Sequence, residues 1–198
     1  MSAGLLWAVS GPRQAGKTAF CRSVALAARQ AGWQVAGLLS PALFQQSVKT
    51  GILAEDLRTG ESCCLASTLR QSPKDLPFGD WFFNPDALSW GNRVLESCLP
   101  CDLLIVDEVG PLELICQMGW LAALEVLPRR QFRLALVVIR PELLTEARSR
   151  LDIAGVIEIN PAYPSDAWVR IWWHQIEAQL KNPTEIRKVC SSDEENSC

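Results

Sequence analysis

Gly11-Pro12-Arg13-Gln14-Ala15-Gly16-Lys17-Thr18 sets two glycines, a lysine and a hydroxyl at the spacing of a phosphate-binding loop. An apolar run, Leu5 to Ser10, leads into it and a helical pattern follows it. Each position has a physical task. The glycines let the backbone curl past Pro12 so that successive N–H groups, from Arg13 to Gly16, point at phosphate oxygens, and the following helix adds the positive end of its dipole. Lys17 is expected to reach the β- and γ-phosphates, and Thr18 to place its hydroxyl on a magnesium ion that bridges them.

A second cluster lies at Leu103-Leu104-Ile105-Val106-Asp107-Glu108, an apolar run of strand length that ends in two acids. At the carboxyl end of a central parallel strand, Asp107 would emerge beside the phosphate loop and share the magnesium shell with Thr18. Glu108 is then free for a separate task, facing the γ-phosphate and polarising an attacking water. Capping of the next helix is the structural alternative for the pair. Arg140 follows another apolar run, Leu134 to Ile139, and on the same sheet edge it could neutralise charge developing on the γ-phosphate. Helix capping or an ion pair competes for it. Arg13, inside the loop, is a further candidate cation.

The segment Asp107-Glu108-Val109-Gly110-Pro111-Leu112-Glu113-Leu114 resembles the small P-loop nucleoside-triphosphatase family found in thermophiles and in animals, where a strand ends Asp-Glu-(Ile/Val)-Gly-x-(Met/Leu)-Glu-Leu. Gly37 to Ser40, Gly51 to Gly60 and Asn160-Pro161 agree in order, so the resemblance spans about residues 3 to 180. Arg13 and Gln14 depart from the small residues expected inside the loop. The resemblance implies hydrolysis of nucleoside triphosphates, ATP and GTP among them, to diphosphates with Mg2+ as cofactor and loose base preference. It carries functional roles onto Gly11, Gly16, Lys17, Thr18, Asp107 and Glu108.

Two other classes use the same loop. A kinase phosphorylating a small metabolite or nucleotide needs an acceptor pocket and an arginine-rich lid that excludes water, for which Arg129, Arg130 and Arg133 are the only lid-like cluster, although they also lead into the next strand. A slow triphosphatase could instead act as a switch or assembly factor for a partner protein. No Asn-Lys-x-Asp guanine motif appears, so discrimination among bases should be weak.

The elements that must position these residues alternate strand and helix. Leu5 to Ser10, Val35 to Leu39, Leu103 to Val106, Leu134 to Ile139 and Val156 to Ile159 read as strands. Thr18 to Ala31 reads as a helix stopped by Gly32, followed by helices over Pro85 to Leu99, Trp120 to Leu127, Pro141 to Arg150 and Ser165 to Leu180. Lys49 to Ala66 reads as a hairpin turning at Arg58-Thr59-Gly60. The expectation is a three-layer α/β P-loop fold, mostly a parallel sheet with an antiparallel hairpin insertion. Residues 1–180 form the domain and 181–198 a polar tail expected to be disordered.

Composition bounds the rest. The 198 residues, 48% hydrophobic and 21% charged with net charge −3, suit one soluble globular domain and offer no overall basic excess for nucleic acid. No stretch is apolar for the roughly 20 residues a bilayer requires, so a cytoplasmic protein without a membrane role is expected. The eight cysteines are expected to be reduced thiols, Cys98 and Cys101 included. His174, the single histidine, lies in a helical stretch far from any nucleophile motif. Of the eight tryptophans most should be core, while Trp81-Phe82-Phe83 offers aromatic faces on which a base could stack.

Overall fold

The computed structural model describes residues 4–162 together with Val169, Trp172, Trp173 and Ile176. Its centre is a ten-stranded mixed sheet. Five strands run parallel in the order β10 (Gly155–Glu158), β1 (Leu5–Ser10), β9 (Leu134–Val138), β8 (Leu103–Val106) and β2 (Val35–Leu39). Their sequences read LLWAVS, VAGLL, LLIV and LALVV for β1, β2, β8 and β9, with β2, β8 and β9 buried throughout. Such continuous apolar character is what a sheet covered on both faces requires.

The covering layers follow from helical periodicity. Helix α1 (Lys17–Gln30) buries Phe20, Cys21, Val24, Ala25 and Ala28 on one face of the sheet, where Val169, Trp172, Trp173 and Ile176 also pack. Those four stand at i, i+3, i+4 and i+7, one helical face. The remainder of the Ser165 to Leu180 expectation, with His174, Trp168 and the 181–198 tail, lies outside the described residues. The opposite face holds α2 (Pro85–Glu96), α4 (Leu121–Val126) and α5 (Leu144–Arg150), with the single turn α3 (Pro111–Leu114) between β8 and α4. Helix α2 starts as its sequence dictates: Asn84 accepts hydrogen bonds from the N–H groups of Asp86 and Ala87, and Pro85 occupies the first turn. Among the described residues no helix is long and apolar enough to cross a membrane.

The antiparallel portion is larger than one hairpin. β4 (Val48–Asp56) joins β2, and β5 (Ser62–Ser67), β7 (Trp81–Phe83) and β6 (Leu76–Phe78) continue outward, while β3 (Ala42–Gln45) pairs with the early part of β4. β3 and the β6–β7 hairpin escape the sequence reading because each is three or four residues long, below the length at which alternation becomes visible. Three helix boundaries also shift. Helix α2 stops at Glu96 with Ser97 as its cap, Trp120 precedes α4, and Pro141–Leu143 forms a 3-10 turn ahead of α5.

Candidate active site

The carboxyl ends of the parallel strands collect the candidate residues. The loop from Gly11 to Gly16 joins β1 to α1, with Gly11 at φ 148° and Gly16 at φ 94°, both in the region that favours glycine. At Gly11 a Cβ would also stand 2.6 Å from the Ile159 carbonyl oxygen, so this turn accepts only glycine. The ammonium of Lys17, in the first turn of α1, donates to the carbonyl oxygens of Gly11 (2.8 Å) and Pro12 (2.7 Å), and is held inside its own loop. Burial lowers its pKa, opposed by the carboxylates of Glu108 and Asp107 and reinforced by Arg140.

Asp107 follows β8 and is 3% exposed. Its Oδ2 accepts from the Ser40 backbone N–H at 3.1 Å, and its backbone carbonyl accepts from the Ser40 hydroxyl. Burial pushes its carboxyl up to about 6, against hydrogen bonds from Ser40 and from the Thr18 hydroxyl that favour the ionised form. Thr18 and Asp107 are therefore in direct contact. Two hard oxygen donors side by side at the start of α1 are a donor set suited to Mg2+ beside a phosphate. Ser40 is a residue that sequence reasoning missed, although it closes the Gly37 to Ser40 segment already noted; its place beside Asp107 comes from β2 and β8 pairing in parallel, Leu38 with Val106.

Glu108 and Arg140 meet. Arg140 Nε donates to Glu108 Oε1 at 2.5 Å, with both side chains about 30% exposed at the rim of the site. Arg140 thus belongs to the cluster as an ion-pair partner of Glu108, one of the alternatives the sequence left open. Glu113 has a different occupation. It is 4% exposed, and its two carboxylate oxygens accept from the backbone N–H groups of Gly110 (2.8 Å) and Trp120 (2.7 Å), which ties the α3 turn to the start of α4. Burial raises its pKa.

Other candidates fall elsewhere. Arg130 donates to the Gly4 carbonyl and pairs with Asp152, while Arg133 pairs with Asp102 and covers the Trp33 ring at 4.1 Å. Gly4, Asp102 and Arg133 precede β1, β8 and β9, so this arginine cluster lies at the amino edge of the parallel strands, across the sheet from the loop, and forms no lid. Cys98 and Cys101 are buried free thiols in the turn between α2 and β8, where burial pushes them up to about 11 and about 12. Among the described residues no cluster of three or more His, Cys, Asp and Glu could hold a metal. Trp81, Phe82 and Phe83 form β7, with Phe83 in the core and Phe82 beneath Arg70 at 5.0 Å.

Known proteins resemble this chain in sequence and in fold. The sequence model of the NTPase family matches residues 7–162, from β1 to just past β10. The nucleoside-triphosphatase THEP1 of Methanosarcina acetivorans is 30% identical over 122 residues, 61% of this chain and 68% of that protein. The THEP1 of Ignicoccus hospitalis is 32% identical over 107 residues, and there the alignment covers 60% of the relative's length. Two solved structures share the fold. A human cancer-related nucleoside triphosphatase superposes with TM-score 0.67 at 18% identity, over 89% of this chain and 98% of the other. THEP1 from Aquifex aeolicus gives TM-score 0.60 at 16% identity, over 87% and 99%. Because the family match runs through the phosphate loop, the acid-tipped strand and the strands that bring them together, this chain belongs to the NTPase family of nucleoside-triphosphatases.

Proposed function

We propose that the chain hydrolyses nucleoside 5′-triphosphates to the diphosphate and inorganic phosphate, with Mg2+ as cofactor and loose preference for the base. The observation that carries this reading is the convergence of Lys17, the Thr18–Asp107 contact and the Glu108–Arg140 pair on one sheet edge. The loop N–H groups and Lys17 bind the β- and γ-phosphates, and the dipole of α1 adds to their field. Thr18 and Asp107 hold the Mg2+, which when bound neutralises charge on the phosphate oxygens.

Glu108 is the general base. One carboxylate oxygen takes the Arg140 bond, a charge-assisted contact that fixes the carboxylate's orientation, and the other accepts the proton of the attacking water. The water oxygen forms a bond to the γ-phosphorus, the bond to the β–γ bridging oxygen breaks, and its electron pair leaves with the diphosphate. Arg140, anchored beside the base, meets charge developing on the transferred phosphoryl group. Nucleic acid takes no part in this reaction, and the cytoplasm, rich in magnesium–nucleotide complexes, is the compartment that suits it.

Phosphate release from ATP, GTP and CTP, with excess magnesium and then with chelator, tests the reading. Release from all three at rates within about a hundredfold, some 2.7 kcal/mol, is expected, together with loss of activity in chelator. Diphosphate formed only when a small-molecule acceptor is added, with the phosphoryl group on the acceptor and no matching free phosphate, would identify a kinase instead.

A further inference from the structure

β4 lies antiparallel to β2 and touches it through only two pairs, Leu38 with Asp56 and Leu39 with Glu55. Earlier residues of β4 therefore run on past the carboxyl end of β2, where β3 takes over as their neighbour: Ala42 opposes Ile52, Leu43 opposes Gly51 and Phe44 opposes Lys49. That geometry carries the β3–β4 hairpin over the same sheet edge as the phosphate loop, Asp107 and Glu108. Lys49 rides on it, half-buried, with its ammonium 4.9 Å from the centre of the Trp81 ring on β7.

The charges around Lys49 are those of the site. Burial lowers its pKa, the carboxylates of Glu108 and Asp107 oppose that, and Arg140 and Arg13 reinforce it. Glu108, Arg140 and Asp107 also surround Lys17, so the two lysines share one electrostatic neighbourhood although one stands on α1 and the other on the hairpin. Among the described residues Lys49 forms no ion pair, in contrast to Arg140 and Arg22. A partly desolvated ammonium held against an aromatic face, with carboxylates in range but not in contact, is stabilised further when an anion arrives.

We propose that Lys49 is a phosphate-contacting residue of the triphosphate site, meeting the terminal phosphate from the hairpin side while Trp81 acts as the positioning residue for its stem. The inference rests on the triphosphatase reading above and adds a consequence: Lys49 separates triphosphate from diphosphate. The loop and Lys17 hold the β-phosphate, which substrate and product share, and Lys17 reaches on to the γ-phosphate. A cation directed at the terminal phosphate alone favours substrate and lets product leave.

Equilibrium binding of ADP and of a non-hydrolysable β,γ-imido ATP analogue, each with magnesium, tests this on the full chain and on Lys49→Ala, Lys49→Arg, Trp81→Ala and Lys17→Ala. Lys49→Ala is expected to weaken the triphosphate analogue about tenfold and to leave ADP within about twofold, the loss of one charge-assisted contact. Lys49→Arg should restore most of the loss, and Trp81→Ala should show a smaller loss in the same direction. Equal weakening of both ligands by Lys49→Ala would assign Lys49 to the hairpin's fold and overturn the proposal, as would no weakening of either. If Lys17→Ala abolishes both affinities while Lys49→Ala changes neither, the inference alone fails. Unaltered binding by Lys17→Ala would overturn the triphosphatase reading itself.

Discussion

The parallel and antiparallel halves of the sheet handle charge in opposite ways. In β2, β8 and β9 every residue is buried, because helices cover both faces, and polar groups emerge only where the strands end. Ser40, Asp107 and Arg140 are three such ends, and the phosphate loop is a fourth. The antiparallel half keeps an open face: β3 is largely exposed, Phe44 and Val48 are more than 60% exposed, and cations lie over aromatic rings at Lys49–Trp81 and Arg70–Phe82. A strand buried on both sides has no place for chemistry except its end, so the parallel half gathers its reactive groups on one edge. The antiparallel half can present a cation from its open face, as Lys49 does near the start of β4.

The largest expected effect tests the claim that the chemistry belongs to the parallel strand ends. Glu108→Gln keeps the shape of the side chain and removes its charge, so turnover should fall by on the order of a hundredfold or more while binding of magnesium–nucleotide persists. Lys17→Ala should lose binding and turnover together. Steady-state phosphate release paired with equilibrium binding separates the two, and parental turnover in Glu108→Gln would move the base away from β8.

Asp107 gives the next effect, and its sign is set by burial. A carboxyl at about 6 in the folded chain, against an ordinary 3.8, holds a proton that the unfolded chain has released. Its contribution to stability is therefore fully present below about pH 4 and lost as pH rises through 6, leaving a buried charge that costs up to about 3 kcal/mol at pH 8. In chelator, Asp107→Asn should be more stable than the parent at pH 8, by up to that amount, and the difference should vanish near pH 4. Urea titrations at the two pH values measure it. Activity of the parent should fall as pH drops through 6, where the protonated carboxyl no longer attracts the cation, and Asp107→Asn should need more magnesium to reach its maximal rate. Equal stability of the two proteins at pH 8 would mean that Asp107 is ionised at little cost.

The same contrast explains what was legible in the sequence. Continuous apolar runs with an acid or an arginine at the end, and glycines at fixed spacing, are local patterns, and Leu103 to Glu108 or Gly11 to Thr18 announce both the strand and its chemistry. Lys49 has no such signature. Its place beside the site depends on β4 overrunning β2 and on β3 replacing it as partner, a register between segments that no short pattern encodes. Ser40 was hidden for a related reason, since it meets Asp107 only through the parallel pairing of β2 with β8. Glu113 was visible but ambiguous: a glutamate near the acid pair can be a base or a cap, and only its two backbone hydrogen bonds decide between them. Glu113→Ala should leave those buried N–H groups unsatisfied and lower stability by about 2 kcal/mol, with turnover per folded molecule little changed. A selective loss of turnover would make Glu113 a candidate base.

The smallest effect concerns the seam between the halves. Only two residue pairs join β2 to β4, yet α1 on the parallel side reaches across with Arg22, which donates to both oxygens of Glu55 at 3.1 and 2.6 Å, and with Arg29, which donates to the Leu57 carbonyl. The Arg22 side chain is 49% exposed, so water and salt screen the pair despite its two-pronged geometry. A double-mutant cycle with Arg22→Ala and Glu55→Ala, read by urea denaturation, should give a coupling of about 0.5 kcal/mol that shrinks at high salt. A coupling above about 2 kcal/mol would mean that electrostatics on α1, more than the continuous backbone ladder, holds the hairpin at its angle over the site. In that case Arg22→Ala should also weaken triphosphate binding through Lys49, and the two halves would have to be treated as one mechanical unit.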